Sequence, residues 1–383
     1  MIYFTGDINL TDNDFDAGYG IGSKLAKGLN PFRHIYKRES DVWIGNFEGV
    51  TANTSGRKGW NSRCFRVSPE HLNNCSNLID YWSIANNHVM EHGAKAYKEM
   101  ESILSLWSKG CFGSNSHKHI VIESGGGKIG LVSFSLRNDH TGEAPLYWNF
   151  PELNDLASEL RQIMDADFKV ACVHWGVEYV DHPSWQQQKF GHWLVDMGFD
   201  LVVGMHPHVL QGYEIYKGKH IFYSLGNFVF NMSYQPTHYG AVVGVDEETK
   251  AVIVEYVKIG DDYSPKFVTE NDVPKEYTFP VLNSKIPYYG NSETYIAEAQ
   301  RGLKAFQKSN RIHFLKNLHR YDREVLAGML TDFVYRKINR TKRHDTSNIN
   351  DWGGVKYCLL PLSNSSNGWA TIIPLHYLNC AIA

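Results

Sequence analysis

Side chains that can bind a metal ion follow five separate apolar segments of this chain. They are carboxylates, carboxamides and imidazoles, without thiolates, and this donor set suits Mn²⁺, Fe, Zn²⁺ or Mg²⁺. Carboxylate-rich sites of this kind often hold two metal ions about 3.5 to 4 Å apart and promote in-line attack on phosphorus. The residue types therefore predict metal-dependent chemistry at a phosphate group. The motifs are Gly6-Asp7, Asn46-Phe47-Glu48, Asn86-Asn87-His88, His174-Trp175-Gly176 and His206-Pro207-His208.

Each motif also has a purely structural interpretation. Gly-Asp after a strand is often only a turn, so Asp7 alone is a weak candidate. Asn86-Asn87-His88 could cap a helix that begins near Val89. His174 could be a core histidine, and His206-Pro207-His208 could be a surface turn. The placement of all five after apolar segments is what favours a common site.

An α/β fold is predicted to position these motifs. Up to about residue 260, short apolar or β-branched runs alternate with longer amphipathic stretches, as strands do with crossover helices. Because the carboxyl ends of the strands of an open α/β sheet gather at the edge where ligands bind, the motifs are expected to converge. The predicted strands are 2–5, 42–45, 81–85, 129–135, 170–173, 201–203 and 221–224, followed by a hairpin of 241–245 and 252–257.

Two helices have recognisable end signals. Ser68-Pro69-Glu70 combines a capping hydroxyl, a first-turn proline and an acid, which predicts a helix from there to about Leu78. Ser184 precedes a second helical pattern, and Gly198 stands where a C-terminal cap belongs.

The C-terminal part of the chain differs in composition. Residues 261–300 are rich in Pro, Tyr, Asn and Lys and are predicted to be a linker or irregular excursion. Residues 301–383 are predicted to be a basic helical appendage and tail, strand-like at 371–375. We therefore divide the chain into 1–260, 261–300 and 301–383. The apolar face of the helical pattern contains Leu318, Tyr321, Val325, Met329 and Phe333.

Composition excludes several classes of protein. With 383 residues, 43% of them hydrophobic and 21% charged, the chain is neither a peptide scaffold, a fibre nor a disordered protein. A net charge of −3 gives no reason to expect nucleic acid as a partner, although residues 301–343 carry twelve Lys/Arg against three Asp/Glu. The start does not resemble a signal peptide, no run is apolar enough to span a membrane, and six cysteines stand singly. A reduced cytoplasmic protein is the expectation.

The motifs resemble those of the CapA-type family of poly-gamma-glutamate capsule biosynthesis proteins over about residues 1–235. The resemblance also includes the longer segments that begin at His174 and His206. It implies a four-layer α/β/β/α sandwich similar to calcineurin-like metallophosphoesterases, with two divalent metal ions at the sheet edge. The longer segments are His174-Trp175-Gly176-Val177-Glu178-Tyr179, Gly204-Met205-His206-Pro207-His208-Val209-Leu210-Gln211-Gly212 and Tyr223-Ser224-Leu225-Gly226-Asn227-Phe228.

The resemblance also implies residue roles. One metal ion would be held by Asp7 and His208, with Glu48 as the bridging carboxylate. The second would be held by Asn87, His174 and His206. His88 would stand beside the scissile phosphate as the catalytic acid or charge stabiliser. Glu91 could orient His88 or be a solvated carboxylate on a helix face.

Two positions depart from the phosphoesterase pattern, which has Asp-x-His and a bridging Asp. Here Asn9 stands in place of the histidine, and Glu48 is one methylene longer than Asp. Asn9, Asn46 and Asn227 are candidates for hydrogen bonds to substrate, and Asn46 and Asn227 could equally satisfy loop backbone. Tyr179 fits either a pocket wall or ordinary core packing.

Two functions follow from these expectations. The first is a phosphoesterase-like hydrolase or transferase that acts on a phosphate-bearing or anionic polymer substrate in capsule or surface-polymer synthesis, together with partner proteins of that process. The second is a non-catalytic accessory protein that holds an anionic polymer or a partner enzyme with the cleft or with basic residues 301–343. Those basic residues could instead be a solvated helix face docked on the main domain.

Overall fold

A computed structural model of the chain describes residues 1–75, 77–124, 126–137, 141, 143–286, 292–338, 357–359 and 372–374. Within these residues the chain forms eighteen strands and eight α-helices. The strands are β1 (Ile2–Ile8), β2 (Val42–Phe47), β3 (Val50–Thr51), β4 (Arg66–Val67), β5 (Tyr81–Ser83), β6 (Gly110–Phe112), β7 (His119–Ser124), β8 (Gly127–Ser135), β9 (Phe168–His174), β10 (Leu201–Met205), β11 (Tyr213–Tyr216), β12 (Lys219–Phe222), β13 (Asn227–Val229), β14 (Tyr239–Val245), β15 (Val252–Ile259), β16 (Pro265–Val268), β17 (Tyr357–Leu359) and β18 (Ile372–Pro374). The helices are α1 (Ile21–Leu25), α2 (Pro69–Leu72), α3 (Gly93–Trp107), α4 (Leu153–Gln162), α5 (Trp185–Met197), α6 (Phe279–Lys285), α7 (Ser292–Asn317) and α8 (Arg323–Ile338).

Two large sheets form the centre of the fold. In the first sheet the order is β16-β15-β14-β1-β2-β5-β6, with β13 also paired to β1. In the second sheet the order is β11-β12-β10-β9-β8-β7. The strands that carry or precede the five motifs run parallel to one another within each sheet, β1, β2 and β5 in the first and β9 and β10 in the second. The predicted hairpin is confirmed as the antiparallel pair β14 and β15.

Side-chain alternation along the strands explains why the sheets stack. In β2, Ile44 faces the core between the sheets, while Trp43 packs into the core on the other face. In β9, Val170 belongs to the core between the sheets and Ala171 to the opposite core. Because successive side chains of a strand point to opposite faces, strands that are apolar on both faces must be covered on both sides.

Helices supply the outer layers. Tyr97 and Met100 of α3 are buried against the outer face of the first sheet. Leu156 of α4 and Leu194 of α5 are buried against the outer face of the second sheet. The architecture is therefore a four-layer α/β/β/α sandwich, which confirms the fold class that the resemblance implied.

The two helix predictions have different outcomes. α5 begins after Ser184, which forms a capping box with Gln187, and ends at Gly198 in the left-handed conformation, as predicted. The prediction of a helix to about Leu78 is wrong, because α2 ends at Leu72. The following Asn74 donates from Nδ2 to the carbonyl of Leu25 at 2.7 Å, so its side chain ties this turn to α1 instead of continuing the helix.

The C-terminal elements pack on the sandwich. The described part of residues 261–300 contains β16, α6 and the first residues of α7, and the domain boundaries stay a prediction. The predicted continuous helical face is wrong at its start, because Leu318–Arg320 form a 3₁₀ turn and Tyr321 is extended before α8 begins. Tyr321 and Val325 are nevertheless buried against the first sheet's loops. Residues 371 and 375 of the predicted strand, like 339–356, lie outside the described residues.

None of the helices in the described part of the chain combines the length and apolar character needed to cross a bilayer.

Candidate metal centre

The five predicted motifs converge between the two sheets. Parallel pairing places Asp7 of β1 beside Asn46 of β2, and the same pairing in the second sheet places Met205 beside His174. The backbone N–H of His206 donates to Asp7 Oδ2 at 3.0 Å, so the strand ends of the two sheets meet directly. The convergence is thus between sheets rather than along one sheet edge.

Glu48 lies at the centre of this cluster. Its side chain is fully buried, and neither carboxylate oxygen has a hydrogen-bond partner. His88 Nε2 and His208 Nε2 each lie 3.7 Å from Glu48 Oε1, and His174 Nε2 lies at 3.9 Å. These distances exceed those of direct hydrogen bonds and leave the carboxylate facing imidazole nitrogens across a gap. A buried carboxylate without a partner is costly unless a cation compensates it.

His206, like Glu48, has buried polar atoms without hydrogen-bond partners. It is fully buried, and neither ring nitrogen has a hydrogen-bond partner. Ligand atoms of Glu48, His206 and His208 all lie within 4.8 Å of one another. The φ of His206 is 100°, a conformation that non-glycine residues rarely adopt and that is found at functional sites. Oxygen and imidazole ligands of this kind fit a divalent transition metal ion.

Asp7 and His208 form the side of the cluster next to β13. His208 Nδ1 lies 3.5 Å from Asp7 Oδ2, and Asn46 Nδ2 donates to Asp7 Oδ1 at 2.8 Å. Burial alone would raise the pKa of Asp7, but the hydrogen bond and positive charge of His208 lower it. Asp7 is therefore held as a carboxylate, the form that binds cations.

The three buried histidines differ in charge because their neighbours differ. Burial lowers the pKa of His174 to about 3 and that of His206 well below its ordinary value. Burial also acts to lower the pKa of His208, but Glu48 and Asp7 outweigh it and raise that pKa to about 10. His174 and His206 are thus neutral, the state in which imidazole is a ligand. His174 Nε2 also lies 2.7 Å from Asn87 Oδ1, which brings the predicted ligand Asn87 into the cluster.

His88 is held from two sides at the edge of the cluster. Its Nδ1 lies 2.8 Å from Glu91 Oε1, and its ring stacks on Phe65 with centroids 4.5 Å apart. Glu91 is buried and is paired with Arg57. The interpretation of Glu91 as a solvated carboxylate is therefore wrong, and so is the helix near Val89, because this segment is a turn that precedes α3. Sequence reasoning missed Phe65 and Arg57, which no motif marked.

The three asparagines proposed as substrate contacts are bonded to protein groups. Asn9 Oδ1 accepts hydrogen bonds from the backbone N–H and hydroxyl of Thr11, at 2.8 and 2.6 Å. Asn46 donates to Asp7, and Asn227 Oδ1 lies 3.0 Å from His208 Nδ1. Asn46 and Asn227 therefore orient Asp7 and His208, and the role of all three asparagines towards substrate stays a prediction.

A pocket of about 170 Å³ opens above His88 and His208. Its lining includes Glu178 and Tyr179, which belong to the motif that begins at His174, and residues of α7. The contribution of α7 was missed, because nothing in its sequence separates a pocket-facing residue from other polar residues of an amphipathic helix.

Comparisons with known proteins show the family to which the chain belongs. The family model of the bacterial capsule synthesis protein PGA_cap matches residues 1–232. The capsule biosynthesis protein CapA of Bacillus anthracis is 30% identical over 266 residues, which are 62% of this chain and 63% of that protein. The PGA biosynthesis protein CapA of Bacillus subtilis (strain 168) is 30% identical over 223 residues, 54% of this chain and 57% of that protein. The chain thus matches less than two thirds of the length of either relative.

Among solved structures, a phosphatase from Mycoplasma pneumoniae aligns with 67% of this chain and 92% of its own, at 14% identity and a TM-score of 0.41. The family match has a firmer basis, since it covers more than half of the chain and contains all six candidate metal ligands. The chain belongs to the bacterial capsule synthesis protein family, PGA_cap, of the CapA type.

Proposed function

We propose that this protein is a metal-dependent enzyme of capsule or surface-polymer synthesis that hydrolyses or transfers a phosphate-bearing group. Membership of the capsule synthesis family supports the process. The names of the relatives, which refer to capsule and PGA biosynthesis, suggest poly-gamma-glutamate as the polymer and other proteins of its synthesis as partners. The buried cluster around Glu48 supports the chemistry.

One observation carries the proposal. Glu48 and His206 are fully buried, and neither the two carboxylate oxygens nor the two ring nitrogens have a hydrogen-bond partner. Leaving such groups unsatisfied costs about 1–3 kcal/mol each. Bound cations would remove that cost, so the donor set fits the divalent metal ions that the fold implies.

Six side chains would hold two metal ions such as Mn²⁺, Fe, Zn²⁺ or Mg²⁺. When bound, the ions would polarise a phosphoryl oxygen and stabilise the negative charge that develops during displacement at phosphorus. Glu48 lies between the two groups of ligands. One group is Asp7 and His208, and the other is Asn87, His174 and His206.

The protein groups around the cluster account for the remaining chemistry. Glu91 holds His88 through Nδ1, which leaves His88 Nε2 on the side of Glu48, and the ring borders the pocket. A histidine fixed in this way can donate a proton to the leaving oxygen. Asn46 and Asn227 keep Asp7 and His208 in place while this occurs.

A reducing compartment, the cytoplasm, fits the cysteines. Cys64, Cys75, Cys111 and Cys172 are all free and buried. Burial raises the pKa of the Cys75 and Cys172 thiols to about 12, so these two are protonated and unreactive.

Metal analysis and turnover test the proposal. The purified protein is expected to contain up to two equivalents of metal and to hydrolyse bis(4-nitrophenyl) phosphate with Mn²⁺. The His206→Ala, His208→Ala double variant should lose the metal and keep its circular dichroism spectrum. Full metal content in the double variant, or a metal-free protein that shows no turnover with any added metal, would refute the enzyme proposal.

A non-catalytic accessory function is the second candidate, and Asn9 is the observation that favours it. Its carboxamide oxygen is bonded to Thr11 and does not face the cluster as a ligand. The metal ion beside Asp7 would therefore have one protein ligand fewer than in the Asp-x-His pattern. Bound metal without turnover of phosphoesters would support this second function.

A further inference from the structure

Helix α7, which follows the sandwich in the chain, forms one wall of the pocket above the candidate metal centre. Phe306 of α7 stacks on Tyr179 with ring centroids 4.2 Å apart. The backbone of Gly302 lies so close to Tyr179 that a Cβ there would come within 2.6 Å of the Tyr179 carbonyl oxygen. Ser309 Oγ donates to the carbonyl of Ser233 at 2.7 Å. These contacts dock α7 on the loops that follow β9 and β13, although α7 lies outside the family match at 1–232.

Asn310 brings a free donor to this wall. The residue is 4% exposed and lines the pocket. Its Oδ1 accepts a hydrogen bond from Ser233 Oγ at 2.6 Å, which fixes the orientation of the carboxamide, while its Nδ2 has no hydrogen-bond partner. A buried donor without a partner is costly, so the geometry calls for an acceptor atom on a ligand.

The charge of the lining limits what that ligand can be. Asp14 and Glu178 line the pocket, and no lysine or arginine does so among the residues that the structure describes. Several aromatic side chains complete the walls, among them Phe65, Phe230 and Phe306. His208 also lines the pocket, but its positive charge is compensated by Asp7 at 3.5 Å and Glu48 at 3.7 Å. Asp14 and Glu178 therefore repel a carboxylate, whereas an uncharged group with apolar surface is accepted by such walls.

We propose that this pocket binds the non-phosphoryl part of the substrate, and that this part is uncharged, partly apolar and carries an acceptor for Asn310 Nδ2. The inference rests on the proposed function, because it assigns the phosphoryl group to the metal centre below. A poly-gamma-glutamate segment, with a carboxylate on every unit, is excluded from the pocket. The substrate class is therefore a small phosphoester with an uncharged organic group, and α7 is the element that selects it.

Two phosphonates of the same shape test the charge requirement. Isothermal titration calorimetry would compare 4-acetylphenylphosphonate with 4-carboxyphenylphosphonate, which differ at one end by a single charge, with and without Mn²⁺. The acetyl compound is expected to bind about tenfold more tightly or better, because Asp14 and Glu178 repel the carboxylate. In the Asp14→Asn, Glu178→Gln double variant this preference should fall to less than about threefold.

The hydrogen bond from Asn310 Nδ2 to the ligand is tested in the same titrations. Asn310→Ala should weaken binding of the acetyl compound roughly three- to tenfold, the effect of one hydrogen bond. Ser309→Ala is the matched control, because Ser309 docks the same turn of α7 but does not line the pocket, and it should change the affinity less than twofold.

The outcomes separate this inference from the proposed function. The protein could prefer the acetyl compound, with a preference that depends on Asn310, Asp14 and Glu178, and yet contain no metal and show no turnover. That result would overturn the enzyme proposal and leave the pocket assignment standing. Tighter or equal binding of the carboxyl compound, an unchanged preference in the double variant, or no binding of either phosphonate would overturn the pocket assignment.

Discussion

Glu48→Gln separates the stability of the fold from the stability that metal ions add. The substitution keeps the size of the side chain and removes a carboxylate that has no hydrogen-bond partner in a fully buried position. Burial and the charge of Asp7 raise the pKa of Glu48 well above its ordinary value, so its charge is disfavoured without a cation. His208 keeps the contact with Asp7 at 3.5 Å in the variant.

The variant is expected to be at least as stable as the unsubstituted protein in EDTA but to gain less stability from Mn²⁺. In EDTA the free energy of unfolding of the variant should equal that of the unsubstituted protein or exceed it by up to about 2 kcal/mol, because an unsatisfied buried carboxylate is removed. Mn²⁺ at a hundredfold excess over its Kd should stabilise the unsubstituted protein by about 2.7 kcal/mol per site, or about 3–4 °C in Tm per site for a chain of this length. The variant lacks the carboxylate proposed to serve both sites and should gain less than about 1 kcal/mol.

Thermal and urea unfolding, each in EDTA and in Mn²⁺, measure both quantities. Glu123→Gln is the control, because Glu123 is an exposed residue of β7 away from the cluster, and it should leave both values unchanged. A variant that is clearly less stable in EDTA and keeps the full Mn²⁺ shift would show that Glu48 is a structural residue and would refute the metal assignment.

Three further predictions concern the surroundings of the site. Gly6→Ala should destabilise the protein by about 1–3 kcal/mol in urea unfolding and lower its metal content, because the added Cβ would lie 2.0 Å from the Gly226 carbonyl oxygen and push β13 away from β1; unchanged stability would contradict the close approach. Glu91→Gln should lower kcat for bis(4-nitrophenyl) phosphate about tenfold or more with unchanged metal content, since it weakens the support of His88; a loss of metal instead would assign Glu91 to the ligand set. Burial lowers the pKa of His92 to about 4, so this residue contributes stability that is present above pH 6.5 and lost as the pH falls towards 4. His92→Gln should remove up to about 3 kcal/mol of that acid-induced loss, measured by urea unfolding at pH 7 and pH 4.5, and identical pH profiles would refute the assignment.

Much of the fold was accessible from local patterns. The strands before Asp7, His174 and His206 are buried on both faces, so they appear as continuous apolar runs. The ends of α5 were predictable because Ser184 and Gly198 act through local hydrogen bonds and backbone conformation. α2 was not, because the side chain of Asn74 bonds to a residue of α1 that is distant in sequence.

The candidate site was predictable to the level of residue types. The motifs at the strand ends identified Asp7, Glu48, His174, His206 and His208, and parallel pairing explains why such ends converge. Their partition between two sheets, and the bond from the His206 backbone to Asp7 that joins those sheets, depend on sheet packing that no local pattern encodes.

The sequence by itself determined the donor chemistry and the strands that carry it, because residue type and short-range periodicity are local properties. Only the tertiary structure decided that Glu91 supports His88, that Asn46 and Asn227 hold Asp7 and His208 in place, and that α7 brings Asn310 to the pocket. Some of these contacts join segments that are distant in sequence, and others depend on the rotamer that each side chain adopts. Both are decided when the layers of the sandwich pack together.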